Sequence, residues 1–280
     1  MSIFAIADLH LSLTSGKPMD VFGSSWENYV ERLEKAWRSK IRPEDTVLIP
    51  GDISWAMTMD EALADFQFIE SLPGTKILSK GNHDFWWNTN KKVEDFFAAH
   101  GLTSMKLLRN NGYIVENTLI AGTRGWLLPE NPESKAEDEK IYLREVGRLE
   151  RSLKDSIRMY EESFAAKELA HGASGEPVCG GAGTVHEVPS ADAGTVPEVT
   201  CGDDFPASGV RKVAMLHYPP VYDPERENGF TQTLEKYGFM LCLYGHLHGR
   251  GHLKAFNGEK NGVEYRLIAA DYLRFDPMEV

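Results

Sequence analysis

The chain has 280 residues, 42% of them apolar, and a formal net charge of −12 at pH 7. That length and apolar content can bury the core of one α/β domain, while the acidic balance argues against a broad grip on nucleic acid, which needs a basic surface. No run approaches the ~18 apolar residues of a membrane span, Met1 to Ala7 is too short for a signal peptide, and three cysteines make no disulfide framework, so a soluble, cytoplasmic protein is expected.

Ile3 to Ala7 reads as a short buried strand ending at Asp8-Leu9-His10, and alternation along an extended segment predicts that Asp8 and His10 share one face. Trp26, Val30, Leu33, Trp37 and Ile41 recur at helical spacing. Thr46 to Ile49 is the next strand, ending at Pro50-Gly51-Asp52. Thr58 with Glu61 reads as the capping box of a helix carrying Leu63, Phe66 and Ile69, which stops before Pro73-Gly74. A third strand over 75–78 leads to Gly81-Asn82-His83-Asp84, where Gly81 suits a sharp exit in an unusual backbone conformation. Asn88 and Thr89 open a helix over about 91–100, against which Trp86 and Trp87 are expected to pack rather than stack on a base or sugar. Strands and helices thus alternate, which predicts βαβ units and a largely parallel sheet.

Further along, 113–115 and 118–121 flank Glu116-Asn117 as a hairpin, and Arg124 follows as a candidate phosphate contact. A long charged helix is predicted over about 137–169, with Tyr142, Val146, Leu149, Leu153, Ile157, Tyr160 and Phe164 as one apolar stripe packed on the domain. Residues 171–209 lack helical or strand period, carry an imperfect repeat (183–188 and 194–199), and read as a disordered or loosely held insertion. Cys179 and Cys201 inside it read as ordinary thiols rather than a regulatory pair, and His171 and His186 receive no role. Strands over 213–216 and 240–244 end at His217 and at Gly245-His246-Leu247-His248. Strand-like pieces over 252–256, 263–269 and 272–275, with a hairpin turn at Asn261-Gly262, complete one expected domain over 1–280.

An Asp, Asn or His thus stands at each of five successive strand ends, where open α/β sheets bind their ligands. Asp8-x-His10, Gly51-Asp52, Gly81-Asn82-His83-Asp84, His217 and Gly245-His246-x-His248 resemble the ordered motifs of the calcineurin-like metallophosphoesterases. That resemblance implies an α/β four-layer sandwich of two mixed β-sheets flanked by helices. It also implies a two-metal site: Asp8, His10 and His248 on one ion, Asn82, His217 and His246 on the other, and Asp52 bridging. His83 would be the catalytic histidine acting on the leaving oxygen. A bridging carboxylate holds two cations ~3.5–4 Å apart so that they activate one water. Imidazole and oxygen ligands favour Mn, with Fe or Zn as alternatives.

One departure narrows the class. The protein serine/threonine phosphatase branch has an Asp three residues after the bridging Asp, with an Arg beside it, and here those positions hold Trp55 and Ala56. This argues against a protein phosphatase and leaves His83 without a recognised orienting partner. The expected function is metal-dependent hydrolysis of a phosphomonoester or phosphodiester of a small molecule or nucleotide. The alternative is a non-catalytic, metal-bound scaffold of the same fold.

Overall fold

Successive residues of the central strands face different cores, and this double burial sets the layers. The computed structural model describes residues 1–17, 19, 23–172 and 209–280. Strands β1 (Ile3–Ala5), β2 (Thr46–Pro50), β3 (Thr75–Ser79) and β4 (Met105–Leu107) alternate with helices α1 (Tyr29–Lys40), α2 (Leu63–Ser71) and α3 (Asn90–Ala99). There follow β5 (Tyr113–Val115), β6 (Thr118–Thr123), α4 (Ala136–Gly172), β7 (Arg211–Leu216), α5 (Gly229–Lys236), β8 (Leu241–Tyr244), β9 (Gly258–Lys260), β10 (Val263–Leu267) and β11 (Met278–Glu279). One sheet is five-stranded, in the order β11-β1-β2-β3-β4, and the other six-stranded, β5-β6-β7-β8-β10-β9. Pairing is parallel through the middle of both, with β11, β5 and β9 antiparallel at edges.

On β2, Val47 and Ile49 pack with α1 and α2, whereas Leu48 faces the other sheet. On β7 and β8, Ala214, Leu216, Cys242 and Tyr244 pack with α4 and α5, whereas Val213, Met215, Leu241 and Leu243 face inward. The result is helices, sheet, sheet, helices, the expected four layers, and strands buried on both faces explain the near-continuous apolar runs. Among the described residues no helix is long and apolar enough to cross a membrane.

Most predicted elements are present, with physical reasons where they differ. The predicted helix over 26–41 begins only at Tyr29, because Asn28 takes a left-handed conformation (φ 48°) after a 3-10 turn at Ser24–Trp26. Thr58 and Glu61 do bond, Glu61 N–H to Thr58 Oγ1 at 3.3 Å, but they close a turn ahead of α2, which starts at Leu63. The strand expected over 252–256 is mostly 3-10 helix, Gly249–Lys254. The piece at 272–275 is a turn, with Arg274 and Phe275 at φ 57° and 62°, and the Phe275 ring fills the core against Trp26 and Tyr29. Elements β4, α5, β9 and β11 had no sequence counterpart. The long helix is α4, which packs on β5, β6 and α5 and hydrogen-bonds β6 through Gly122 N–H to Ser152 Oγ at 2.9 Å. Tyr142, Leu149, Leu153 and Ile157 of its stripe are buried, while Phe164 is exposed. The proposed insertion at 171–209, with Cys179, Cys201 and His186, lies outside the described residues, except that 171–172 close α4 and 209 precedes β7.

Candidate metal centre

The chain leaves β1 at Ala5, and Ala7 bridges the two sheets by donating to Ile268 O at 2.8 Å and accepting from Ala270 N–H at 2.9 Å. Asp8 and His10 do approach one another, but not by strand alternation. Both are left-handed, at φ 59° and 45°, and their N–H groups donate to Gly51 O and Asp52 O, so the first loop runs beside the second. Asp52 and His246 share this conformation, at φ 52° and 74°. Each such residue costs roughly 1–3 kcal/mol, a strain that gathers at functional sites. Gly81 is required for a different reason from the one the sequence offered: its φ is not positive, but a Cβ there would collide with the carboxylate and N–H of Asp52. A Cβ on Gly245 would likewise collide with the Asp8 carboxylate and lie 2.7 Å from Ala7 Cβ.

All seven nominated ligand residues converge, in two groups. In one, His10 Nε2 lies 3.1 Å from His248 Nε2, and Asp8, His10 and His248 offer ligand atoms all within 4.8 Å of one another. In the other, Asn82 Oδ1 lies 2.7 Å from His217 Nε2 and 2.9 Å from His246 Nδ1, and these two nitrogens are 3.2 Å apart. Asp52 Oδ2 stands between, 3.6 Å from His10 Nε2 and 3.5 Å from His217 Nε2.

The electrostatics suit cations. Burial pushes the Asp8 and Asp52 carboxyls up, pulls His10 and His246 well below the usual imidazole range, and takes His217 down to about 3. Neutral His10, His217 and His246, with ring nitrogens facing each other and two carboxylates, are in the form that ligates a metal. His10 Nδ1 is buried with no hydrogen-bond partner among the described residues. This nitrogen and oxygen donor set fits divalent first-row metals, and no thiol belongs to it.

Two supporting carboxylates went unrecognised in the sequence. Asp84, fully buried, accepts N–H bonds from Asp52, Ile53, Ser54 and Gly81 at 2.8–3.3 Å and from the Trp86 indole at 3.2 Å. It thereby clamps the Asp52 loop to the Asn82 loop, although burial and the Asp52 charge push its pKa up to about 7. Asp271 accepts from His248 Nδ1 at 2.9 Å and from Gly249 N–H at 3.1 Å, and His252 Nε2 is 3.2 Å from its second oxygen. Burial works against a charged His248, but this bond and the charges of Asp8, Asp271 and Asp52 raise it to about 9. A carboxylate behind a ligand histidine fixes its tautomer and ring orientation. Asp271 follows the buried run Leu267–Ala270 as the other candidates follow theirs, so the same strand-end logic could have found it.

His83 is half-buried beside the cluster. Its N–H donates to Asp52 Oδ1 at 2.8 Å, its Nδ1 has no hydrogen-bond partner among the described residues, and burial lowers its pKa. Trp55, in the position that departs from the protein phosphatase pattern, stacks on His10 (4.9 Å, 22°) and tilts against His83 at 4.2 Å. An aromatic wall therefore stands where an orienting carboxylate was absent. Trp86 and Trp87 are buried in the core with α2 and α3, as expected.

The sequence model of the calcineurin-like phosphoesterases matches residues 1–250. The chain belongs to this family. Solved structures similar to this calcineurin-like phosphoesterase share little of its sequence. They include the protein of unknown function AQ665 from Aquifex aeolicus, at 12% identity and TM-score 0.43 over 99% of this chain and 95% of that one. The phosphopantetheinyl hydrolase of Mycobacterium tuberculosis matches at 13% identity and TM-score 0.45 over 100% and 95%. The protein TT1561 of Thermus thermophilus matches at 11% identity and TM-score 0.42 over 88% and 81%. No curated protein matches at a significant level.

Proposed function

We propose that the chain hydrolyses a phosphomonoester or phosphodiester of a small molecule or nucleotide at a site for two divalent metals, Mn first, with Fe or Zn as alternatives. The observation that carries this reading is the placing of Asp52 Oδ2 between the two ligand groups, 3.6 Å from His10 and 3.5 Å from His217. Asp8, His10 and His248 would hold one ion, Asn82, His217 and His246 the other, and Asp52 would touch both. When bound, such ions supply an activated water and neutralise charge developing on the phosphoryl oxygens.

The chain's own groups do the rest. Asp84 and Asp271 hold the ligands in register through the bonds described above. His83, adjacent to Asn82 and half-buried, would give a proton to the leaving oxygen. Its neighbour Trp55 restricts the ring by contact, not by charge. An imidazole suits this task because its ordinary pKa lies near neutrality.

The test is hydrolysis of p-nitrophenyl phosphate and bis-p-nitrophenyl phosphate with Mn or with chelator, in wild type and Asp52→Asn. Metal-dependent turnover lost in the variant supports the reading, and the preferred ester separates monoesterase from diesterase. Metal binding with no turnover of either ester would favour the scaffold.

A further inference from the structure

Near the loops that follow β3 and β6 lies a cavity of about 220 Å³ whose charge runs against that of the whole chain. A single water needs only ~10–15 Å³ measured this way, so a phosphate group has ample room. Lys80, Arg109, Arg124, Arg144 and Arg148 line it, and among the described residues Glu145 is the one carboxylate lining it, a surplus of four positive charges there. The net charge of the chain is −12.

Four separate segments supply these cations. Lys80 follows β3 and stands two residues before Asn82. Arg109 follows β4, and Arg124 follows β6. The carbonyl of Arg124 accepts the N–H of His217 at 3.0 Å, so the backbone of one lining residue is bonded to that of a candidate ligand. Arg144 and Arg148 sit four apart on α4 and so share a face.

Glu145 is buried and is already committed. It accepts from Thr123 Oγ1 at 2.6 Å and from Arg148 Nη1 at 2.5 Å, and lies 3.9 Å from both Arg124 and Arg144. One carboxylate cannot neutralise five cations, and burial together with the nearby Arg124 lowers the pKa of Lys80. Several guanidinium groups bordering one cavity can recognise phosphate oxygens in pairs.

We propose that this cavity is a second anion subsite, which takes a phosphate of the substrate other than the one being hydrolysed. The substrate class is then a small molecule carrying two phosphates. This deepens the phosphoesterase reading and rests on it. The long charged helix acquires a purpose, since α4 brings two of the five cations to the site.

Two measurements on the full-length chain test the subsite, using Arg109→Gln/Arg144→Gln, a double variant at exposed positions. In the first, inorganic phosphate is titrated calorimetrically into protein kept metal-free with chelator. One saturable site is expected in wild type, weakened about tenfold or more in the variant, as fits the loss of charge-assisted bonds. No saturable binding, or equal affinity in the two proteins, would overturn the subsite and leave the cations as an ion-pair network that docks α4.

The second compares kcat/KM of the Mn-loaded enzyme for adenosine 3′,5′-bisphosphate and adenosine 5′-monophosphate. Wild type should prefer the bisphosphate by about tenfold or more, and the variant should lose most of that preference. Equal values in wild type, or a preference the variant keeps, would also overturn it. Failure of the phosphoesterase reading itself would show differently, as no Mn-dependent turnover alongside intact phosphate binding by the metal-free chain.

Discussion

Among the described residues His83 has no hydrogen-bond partner at Nδ1; it leans on Trp55, yet its backbone N–H is tied to Asp52. Its ring can therefore be removed without disturbing the ligands around it. His83→Ala is expected to keep its bound metal, measured by elemental analysis after gel filtration, while turnover falls by about 10²–10⁴-fold, the range of a lost general acid. Full turnover in the metal-loaded variant would remove His83 from the chemistry. Asp84 has the opposite character, being buried and bonded to five N–H donors. In Asp84→Asn the new amide NH₂ must face N–H groups that a carboxylate oxygen had accepted. The expected loss is about 2–4 kcal/mol in urea unfolding, from buried donors left without acceptors. A loss below about 0.5 kcal/mol, the size of ordinary surface changes, would mean that the two loops hold together without it.

At the scale of the element, β3 carries both a functional end and an anomaly. Lys76 is buried within it, with Nζ donating to Leu72 O and to Ser104 Oγ, the latter at 3.1 Å. Burial lowers its pKa from 10.5 to about 8. Between those values the unfolded chain holds a proton that the native chain has released, so unfolding becomes harder as pH rises. Below pH 8 both states are protonated and the cost of burying the charge is felt in full. Lys76→Met carries no such charge. Its stability relative to wild type should be highest near pH 7 and decline steadily from about pH 8 towards 10.5. Urea melts of both proteins at several pH values measure the difference, and a constant difference would show that Lys76 titrates normally. Helix α4 shows a related mixture of roles, burying Leu149 and Leu153 against β6 while turning Arg144 and Arg148 to the cationic cavity.

For the whole molecule, the candidate ligands come from both sheets. Asp8, His10, Asp52 and Asn82 follow strands of the five-stranded sheet, and His217, His246 and His248 follow strands of the six-stranded one. Ions bound there would join the two halves and stabilise the native state by mass action, about 2.7 kcal/mol per site at a hundredfold excess over Kd. For a chain of this size each kcal/mol raises Tm by about 2–4 °C. Mn should therefore raise Tm on the order of 5 °C or more, chelator should reverse it, and Asp52→Asn should blunt it. Equal Tm with Mn and with chelator would speak against metal binding at this site.

The order of the motifs was legible because each candidate ligand follows directly on an apolar strand, so Asp8, Asp52, Asn82, His217, His246 and their neighbours could be nominated from local spacing alone. The four layers came from the family resemblance, whereas the residues by themselves marked buried strands of a largely parallel sheet, with the period of 3.6 marking α1 and α4. Tertiary structure decided the remainder. The left-handed turns at Asp8 and His10 depend on bonds to a loop more than forty residues away. The collision that demands Gly81 involves Asp52, and the tie that holds His248 comes from Asp271. The cationic cavity gathers residues 80, 109, 124, 144 and 148, which no local pattern unites. Sequence alone determined which residues stand at strand ends, because hydrophobic periodicity is local. Only the paired sheets decided which side chains meet there, because strand order and register are properties of the folded chain.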